Sequence, residues 1–379
     1  MDAFDSVLQP IESAKGLPNS CYTDPAMFEQ ETKCLFAADW AAIGFGFDVP
    51  KPGCVYPVSF LGIPLVMVRG RSGEIKVFEN VCRHRGMILI KEAKRLSGPL
   101  TCPYHAWAYD LDGALRATPH VGGPDVNKHH SVECANLSLN EVTSAIWRDV
   151  VYVNLSNQAA PFQNKAAALQ CRWAEFEQDL YFGGDESYFE LDVACNWKLA
   201  IENYCEAYHL PFVHPSLNRY SRLEDHYNIL DNTSYAGQGS HVYAPQISDD
   251  GRQFSAFEGL SKKWDKGADY CAFFPNVLYG VHKDHAFAIV LMPTGQKTTV
   301  ERIALYYADQ QMLTEDYAFM RKKNTTMWKE VFIEDIGVIE GMQTGRMAPS
   351  YDGGKFSAIM DHPTLHFHKW VAQRLMQIG

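Results

Sequence analysis

The sequence predicts an α+β protein in two parts. An all-β part covers residues 40–157, a helix-and-sheet part covers 158–379, and residues 1–39 form a helical segment that packs on the second part. Three observations support this. From about Trp40 to Leu155 the chain reads as short alternating strands broken by turn residues. Beyond it, long amphipathic stretches alternate with strands that need covering on one face, which suits helices layered on a sheet. Ser156 to Phe162, with Ala159-Ala160-Pro161, makes a natural boundary between the two patterns.

The elements follow in order. Asp24-Pro25 starts a helix over 24–39, with Pro in the first helical position, where its missing N–H is not needed. Tyr56 to Val68 reads as β structure, Arg71-Ser72-Gly73-Glu74 turns into Ile75 to Phe78, and Leu111-Asp112-Gly113 leads to Ala114-Leu115. Gln163 to Leu180 is read as an amphipathic helix. Tyr188 to Val193 reads as a strand running into a helix that carries His209. Tyr270 to Phe274, His285 to Met292 and Thr298 to Tyr307 read as antiparallel strands, and Met312 to Ile339 and His366 to Met376 as helices. Residues 215–262 read as a loop-rich cover for an active site.

Net charge is −11, which disfavours nucleic acid or an anionic membrane as partner. No apolar run is long enough to span a bilayer. The start, Met1-Asp2-Ala3-Phe4-Asp5, lacks a basic and then apolar signal pattern, so a cytoplasmic protein is expected. The ten cysteines have no disulfide-framework spacing, and all but Cys82 and Cys102 are expected to be reduced thiols.

Cys82-Arg83-His84, then seventeen residues, then Cys102-Pro103-Tyr104-His105 places two mixed thiolate–imidazole pairs near turns. Structural zinc sites usually group like ligands, whereas a repeated mixed pair suits a [2Fe–2S] cluster with two Cys on one iron and two His on the other. With Gly86 after the first pair and Pro103, Tyr104 and Trp107 around the second, this resembles the Rieske signature. A second cluster runs from Asn196-Trp197-Lys198 to His214-Pro215, with His209 and His214 five residues apart. A straight helix would not converge them. Pro211 is expected to end the helix near Leu210 and let a turn bring His214 back. Two imidazoles with one carboxylate make the facial triad of non-haem Fe(II) oxygenases.

The whole chain resembles the α-subunit of Rieske non-haem iron oxygenases. The resemblance implies an all-β Rieske domain followed by a helix-grip catalytic domain. It makes Cys82, His84, Cys102 and His105 the cluster ligands, and His209 and His214 the ligands of a mononuclear iron. It assigns the third ligand to Asp335, in Phe332-Ile333-Glu334-Asp335-Ile336-Gly337-Val338-Ile339-Glu340, with Glu334 the neighbouring competitor and Glu340 a weaker one. The isoleucines and valine there make the helix largely apolar, so a buried carboxylate needs a metal or a partner. Glu206, three residues before His209, takes the place of a catalytic carboxylate that bridges an iron-ligand His and a Rieske His.

Members of the naphthalene dioxygenase type carry Asp at that bridging position. Glu is associated with members acting on carnitine and betaine, and the segments Tyr351 to Gly354 and His366 to His368 look like bacterial relatives of choline monooxygenase. The expected reaction is therefore hydroxylation of a small quaternary ammonium compound with O₂, leading to N-demethylation or C–N cleavage. The alternatives are aromatic-ring hydroxylation and a Rieske electron carrier without catalysis of its own. No nicotinamide or flavin motif is present, so a separate NAD(P)H-dependent flavin/iron-sulfur reductase is implied, and the family resemblance implies a homotrimer. Tyr204, Tyr208, Phe212, Phe273, Phe274 and Tyr279 are the aromatic candidates for a substrate pocket.

Overall fold

The computed structural model describes residues 4–231, 234–248 and 250–377. The chain divides into two compact units, Ala42–Gln158 and the residues before and after it.

The Ala42–Gln158 unit holds a seven-stranded sheet in the order Ala41–Phe45, Val150–Asn154, Glu141–Trp147, Ile75–Glu79, Ile63–Arg69, Cys54–Phe60 and Lys94–Arg95. A three-stranded sheet of Leu100–Thr101, Ala108–Tyr109 and Leu115–Ala117 completes it. The predicted Tyr56–Val68 segment is a hairpin: Leu61 and Gly62 both sit at positive φ (52° and 81°), as a two-residue turn matching strand twist requires. Val66, Val68, Phe78, Leu89, Trp107 and Tyr109 pack into one core that also contains Cys82 and Cys102.

The second unit is built on an eight-stranded sheet. Its order is Tyr181–Phe182, Thr298–Tyr307, His285–Gly295, Val277–Val281, Ala268–Phe273, Tyr235–Ser240 and His226–Leu230, with Tyr188–Val193 also pairing Thr298–Tyr307. The helices Trp197–Tyr204, Ala318–Gly345 and His362–Met376 belong to the same unit. Two strands, His226–Leu230 and Tyr235–Ser240, lie inside the stretch read from sequence as loop. The helix expected over Gln163 to Leu180 ends at Arg172. There the chain turns so that Trp173 Nε1 (2.9 Å) and Arg172 Nε (2.7 Å) both donate to the buried Asp269 carboxylate. A buried charge requires such donors, and supplying them outweighs another turn of helix.

The helix expected over 24–39 starts at Pro25 but is α-helical only to Glu31, with a π-helical turn over Thr32–Ala37 after it; Asp24 caps its first turn, its side chain accepting from the Ala26 N–H. The N-terminal segment is tied down by buried polar groups. Lys198 Nζ donates to Glu31 (2.6 Å), Glu202 accepts from Tyr22 and Arg346 (3.2 Å), and His368 Nε2 lies 3.3 Å from the Glu202 carboxylate. Burial alone would raise the Glu202 pKa; His368 and Arg346 outweigh it and hold the carboxyl at about 2. A depressed carboxylate stabilises the fold above its unfolded value and loses that contribution as pH falls toward the folded one. Glu202→Gln is thus expected to cost about 3 kcal/mol at neutral pH and to flatten the acid limb of a stability–pH curve below about pH 4.

Candidate metal centres and substrate cavity

Two loops of the Ala42–Gln158 unit share one hydrogen-bond pattern. Cys82 N–H donates to Met87 O (2.8 Å) and Gly86 N–H to Cys82 O (3.0 Å); Cys102 N–H donates to Trp107 O (2.8 Å) and Ala106 N–H to Cys102 O (3.0 Å). The equivalent residues Gly86 and Ala106 take positive φ, 73° and 56°. Each loop therefore presents its Cys inward and its His outward: both thiols are 2% exposed, whereas His84 is exposed and His105 half-buried. The imidazoles lie 4.6 Å apart, and His84 stacks on Trp107. Tyr109 OH is 3.4 Å from Cys82 Sγ and accepts from the Arg83 N–H.

This donor set fits a [2Fe–2S] cluster. Burial pushes the Cys82 thiol up, partial desolvation and then the neighbouring His105 and Arg85 lower the His84 pKa, and His105 Nδ1 is buried without a hydrogen-bond partner. Metal ligation answers all three, since it takes a thiolate and neutral imidazole nitrogens. Aerobically purified protein is expected to be brown, with about three irons per chain when both centres are loaded. His84→Ala or Cys102→Ala should remove the colour while the catalytic unit stays folded by circular dichroism; colourless protein with stoichiometric zinc would contradict the assignment.

In the second unit the helix ends at Tyr204, five residues before His209, so His209 is not on the helix expected for it. Glu206 is the local cause: its carboxylate accepts the backbone N–H of Tyr208 and of His209 (3.3 Å), which starts a new turn in place of the old helix. A one-turn helix, Leu210–Val213, follows with Pro211 in its first turn; proline opens this helix where it was expected to close the previous one. His209 and His214 are the residues flanking that single turn, so their rings meet at 5.1 Å.

The nitrogens of His209 and His214 and a carboxylate oxygen of Asp335 all lie within 4.8 Å of one another. His214 Nε2 is 3.0 Å and His209 Nε2 3.7 Å from Asp335 Oδ1, a buried oxygen that receives no directed hydrogen bond. The opposite nitrogens are both held by acids: His209 Nδ1 donates to Glu206 Oε1 (2.6 Å) and His214 Nδ1 to Glu334 Oε2 (2.7 Å). Burial lowers the His214 pKa, but Asp335 and then Glu334 outweigh it and raise it. Carboxylates on Nδ1 aim both Nε2 atoms at Asp335, as the ligands of a metal are usually held. Glu334 thus supports His214, and Glu340 points elsewhere, accepting from the Ala194 N–H (2.8 Å). Ile333, expected in an apolar interior, is 47% exposed, because the inward face of Ala318–Gly345 runs through Trp328, Phe332, Asp335 and Ile339.

A cavity of about 40 Å³ adjoins the triad, walled by Tyr204, Tyr270, Trp328 and Phe332 with His226 and Gln238. Of the six aromatic candidates only Tyr204 lines it. Tyr208 and Phe212 are 51% and 79% exposed, because the short helix turns Leu210 inward instead. Phe273 lies on the face of its strand opposite Tyr270 and packs on Phe162. Phe274 packs against Phe367 and Trp370, and Tyr279 against Trp173. Tyr270, Trp328, His226 and Gln238 were not singled out from sequence. The spacing of Trp328, Phe332 and Asp335 at i, i+4 and i+7 was the available signal for the helical part of the wall.

The family described as the ring hydroxylating alpha subunit (catalytic domain) matches residues 183–377, and the Rieske [2Fe–2S] domain matches residues 39–136. The chain is 28% identical over 408 residues to the glycine betaine monooxygenase oxygenase subunit of Chromohalobacter salexigens, covering 99% of this chain and 89% of that protein. It is 25% identical to the carnitine monooxygenase oxygenase subunit of Escherichia coli K12, covering 96% and 94%. The fold is shared with the quaternary ammonium Rieske monooxygenase CntA in complex with L-carnitine, at a TM-score of 0.78 and 23% identity over 98% of each chain. It is also shared with naphthalene 1,2-dioxygenase, at a TM-score of 0.78 and 17% identity over 99% and 95%. The chain belongs to the ring-hydroxylating α-subunit family, the Rieske non-haem iron oxygenases, whose cofactors are a Rieske [2Fe–2S] cluster and a mononuclear iron.

Proposed function

We propose that this oxygenase hydroxylates a small quaternary ammonium compound at a C–H bond beside its nitrogen. The product of such a step is a carbinolamine, which collapses to an aldehyde and a tertiary amine. The observation that carries the reading is the cavity wall. Tyr204, Tyr270, Trp328 and Phe332 line it, and a trimethylammonium group, which cannot donate a hydrogen bond, is held by aromatic rings at about 0.5–2 kcal/mol each. The relatives named for glycine betaine and carnitine support it, as does Glu at position 206.

Cys82, Cys102, His84 and His105 would hold the cluster, and His209, His214 and Asp335 the iron. When bound, these groups supply one-electron transfer and oxygen activation. The chain's own residues do the rest. Glu206 and Glu334 fix the proton of each iron-ligand imidazole on Nδ1, leaving Nε2 as the donor atom. The ring walls exclude water and orient the substrate's methyl groups toward the triad. His226 Nδ1 donates to Gln238 Oε1 (2.6 Å), whose amide donates in turn to Glu206 O (3.1 Å), fixing one polar wall of the cavity to the Glu206 turn.

Electrons come from a partner reductase, which we take to be an NAD(P)H-dependent flavin/iron-sulfur protein. We further propose a homotrimeric ring in which the cluster of one chain serves the iron of its neighbour. The exposed apolar groups Tyr208, Phe212 and Ile333 beside the triad, and exposed Tyr104 beside His105, suit such a contact. A cytoplasmic setting accords with ten free cysteines, and no helix among the described residues is long and apolar enough to cross a membrane.

The test is substrate-dependent O₂ uptake with a surrogate reductase. Glycine betaine, carnitine or choline is expected to trigger uptake and release an aldehyde, while a neutral carbon isostere is bound at least tenfold more weakly, as loss of one good cation–π contact implies. Turnover of an aromatic hydrocarbon, with no response to any quaternary amine, would replace this reading by ring hydroxylation.

A further inference from the structure

The cavity beside the triad is not the roomiest in the catalytic unit. A second cavity of about 510 Å³ lies between residues 243–248 and 251–254 and the turn His282 to His285. One layer of rings parts the two. Tyr243 and His282 line the outer cavity, Tyr270 and Trp328 the inner one. Tyr243 stacks on Trp328 at 5.6 Å, and His282 Nε2 lies 3.2 Å from Tyr270 OH.

The outer lining has an excess of uncommitted positive groups in a chain of net charge −11. Lys266 and Lys283 line it, and neither forms an ion pair among the described residues. Of the two acids among its described lining residues, Asp284 is turned to His285 Nδ1 (2.6 Å), which leaves Asp265. His282 is 1% exposed and its Nδ1 has no hydrogen-bond partner. Burial, and then His285, keep this imidazole neutral well below its ordinary pKa, and burial keeps the Tyr270 phenol protonated. Nε2 is the one hydrogen-bond partner of the buried Tyr270 OH among the described residues, so we assign the phenol as donor to Nε2 and the imidazole's own proton to Nδ1. A buried N–H without an acceptor is a standing demand for one. Two free ammonium groups and one free N–H donor are the complement of a carboxylate.

We propose that the outer cavity is a carboxylate-recognising entry site, and that the preferred substrates are carboxylated quaternary amines of the betaine class. Lys266, Lys283 and the Nδ1–H of His282 take the carboxylate. The trimethylammonium end then passes the ring layer at Tyr243 and Trp328 to reach Tyr204 and Tyr270. This rests on the quaternary ammonium reading and sharpens it, because choline has the cation without the carboxylate.

The test compares holoenzyme carrying Lys266→Met with Lys283→Met, and separately His282→Leu and His282→Asn, with the unaltered holoenzyme. For each, kcat/KM and calorimetric Kd are measured with glycine betaine, carnitine and choline. The double lysine variant is expected to lower kcat/KM for the two carboxylates about tenfold relative to choline, through KM, as two partly exposed ion pairs allow. His282→Leu should act in the same direction, and His282→Asn, whose amide replaces the Nδ1 donor, should restore the ratio. Equal losses for carboxylates and choline, or no change in the ratio, would overturn the entry site while leaving quaternary amine oxidation standing. If the unaltered enzyme oxidises no quaternary amine yet glycine betaine binding still weakens in the lysine variant, the substrate reading falls and the carboxylate site remains.

Discussion

Asp335→Ala is expected to lower turnover roughly a thousandfold or more and to strip the mononuclear iron, while the visible spectrum of the cluster is unchanged. The geometry makes this substitution unlike its neighbour. Asp335 Oδ1 is the only carboxylate oxygen in the group that gathers His209 and His214 within 4.8 Å among the described residues. Glu334, one residue earlier, touches the far nitrogen of His214. Losing it frees the imidazole to rotate and to take the wrong tautomer, so Glu334→Ala is expected to weaken iron binding about 10–100-fold and to recover activity with excess Fe(II). His209→Ala and His214→Ala should resemble Asp335→Ala. Iron content by elemental analysis, together with O₂ uptake, separates these outcomes. An Asp335→Ala protein that keeps iron and turnover, beside an inactive Glu334→Ala protein that excess iron does not rescue, would exchange the two assignments.

The same pair shows what the sequence made legible. Ligand types and spacing are local, chemically constrained facts, so the Cys/His pairs and the two histidines stood out without tertiary information. Asp335 needed family resemblance, because on a helix an acid is usually solvated, and only the inward positions of Trp328 and Phe332 mark that face as internal. The role of Glu334 was not legible, since it depends on His214, 120 residues away. The aromatic wall failed for a related reason. Nearness in sequence to His209 favoured Tyr208 and Phe212, but a one-turn helix points them outward, while Tyr270 and Trp328 arrive from a distant strand and helix. Helix extents failed where a side chain competed for backbone groups, as Glu206 does after Tyr204.

Glu206→Gln is expected to leave both metal centres loaded yet to slow single-turnover oxidation of the reduced cluster, by O₂ and substrate, about a hundredfold or more. The substitution conserves size and one oxygen. That oxygen can still accept from the Tyr208 and His209 backbone, so the turn that converges the two histidines should persist. The lost property is the negative charge opposite His209 Nδ1, 2.6 Å away. With the one amide oxygen kept on the backbone N–H groups, the amide NH2 faces His209 Nδ1, which loses its charged acceptor. If Glu206 also reaches a cluster-ligand imidazole of a neighbouring copy, as family resemblance implies, it is the shortest polar connection between the two centres, and a neutral amide with one donor end cannot accept from both. Such a contact belongs to a closed ring with heterologous interfaces, so the expected defect is tied to assembly. Stopped-flow decay of the cluster's visible band measures the rate, and light scattering with elemental analysis verifies that oligomer and iron content match the unaltered protein. Glu206→Gln protein that reoxidises its cluster at the unaltered rate would remove the carboxylate from the electron path, and a fully active monomer would remove the neighbour from it.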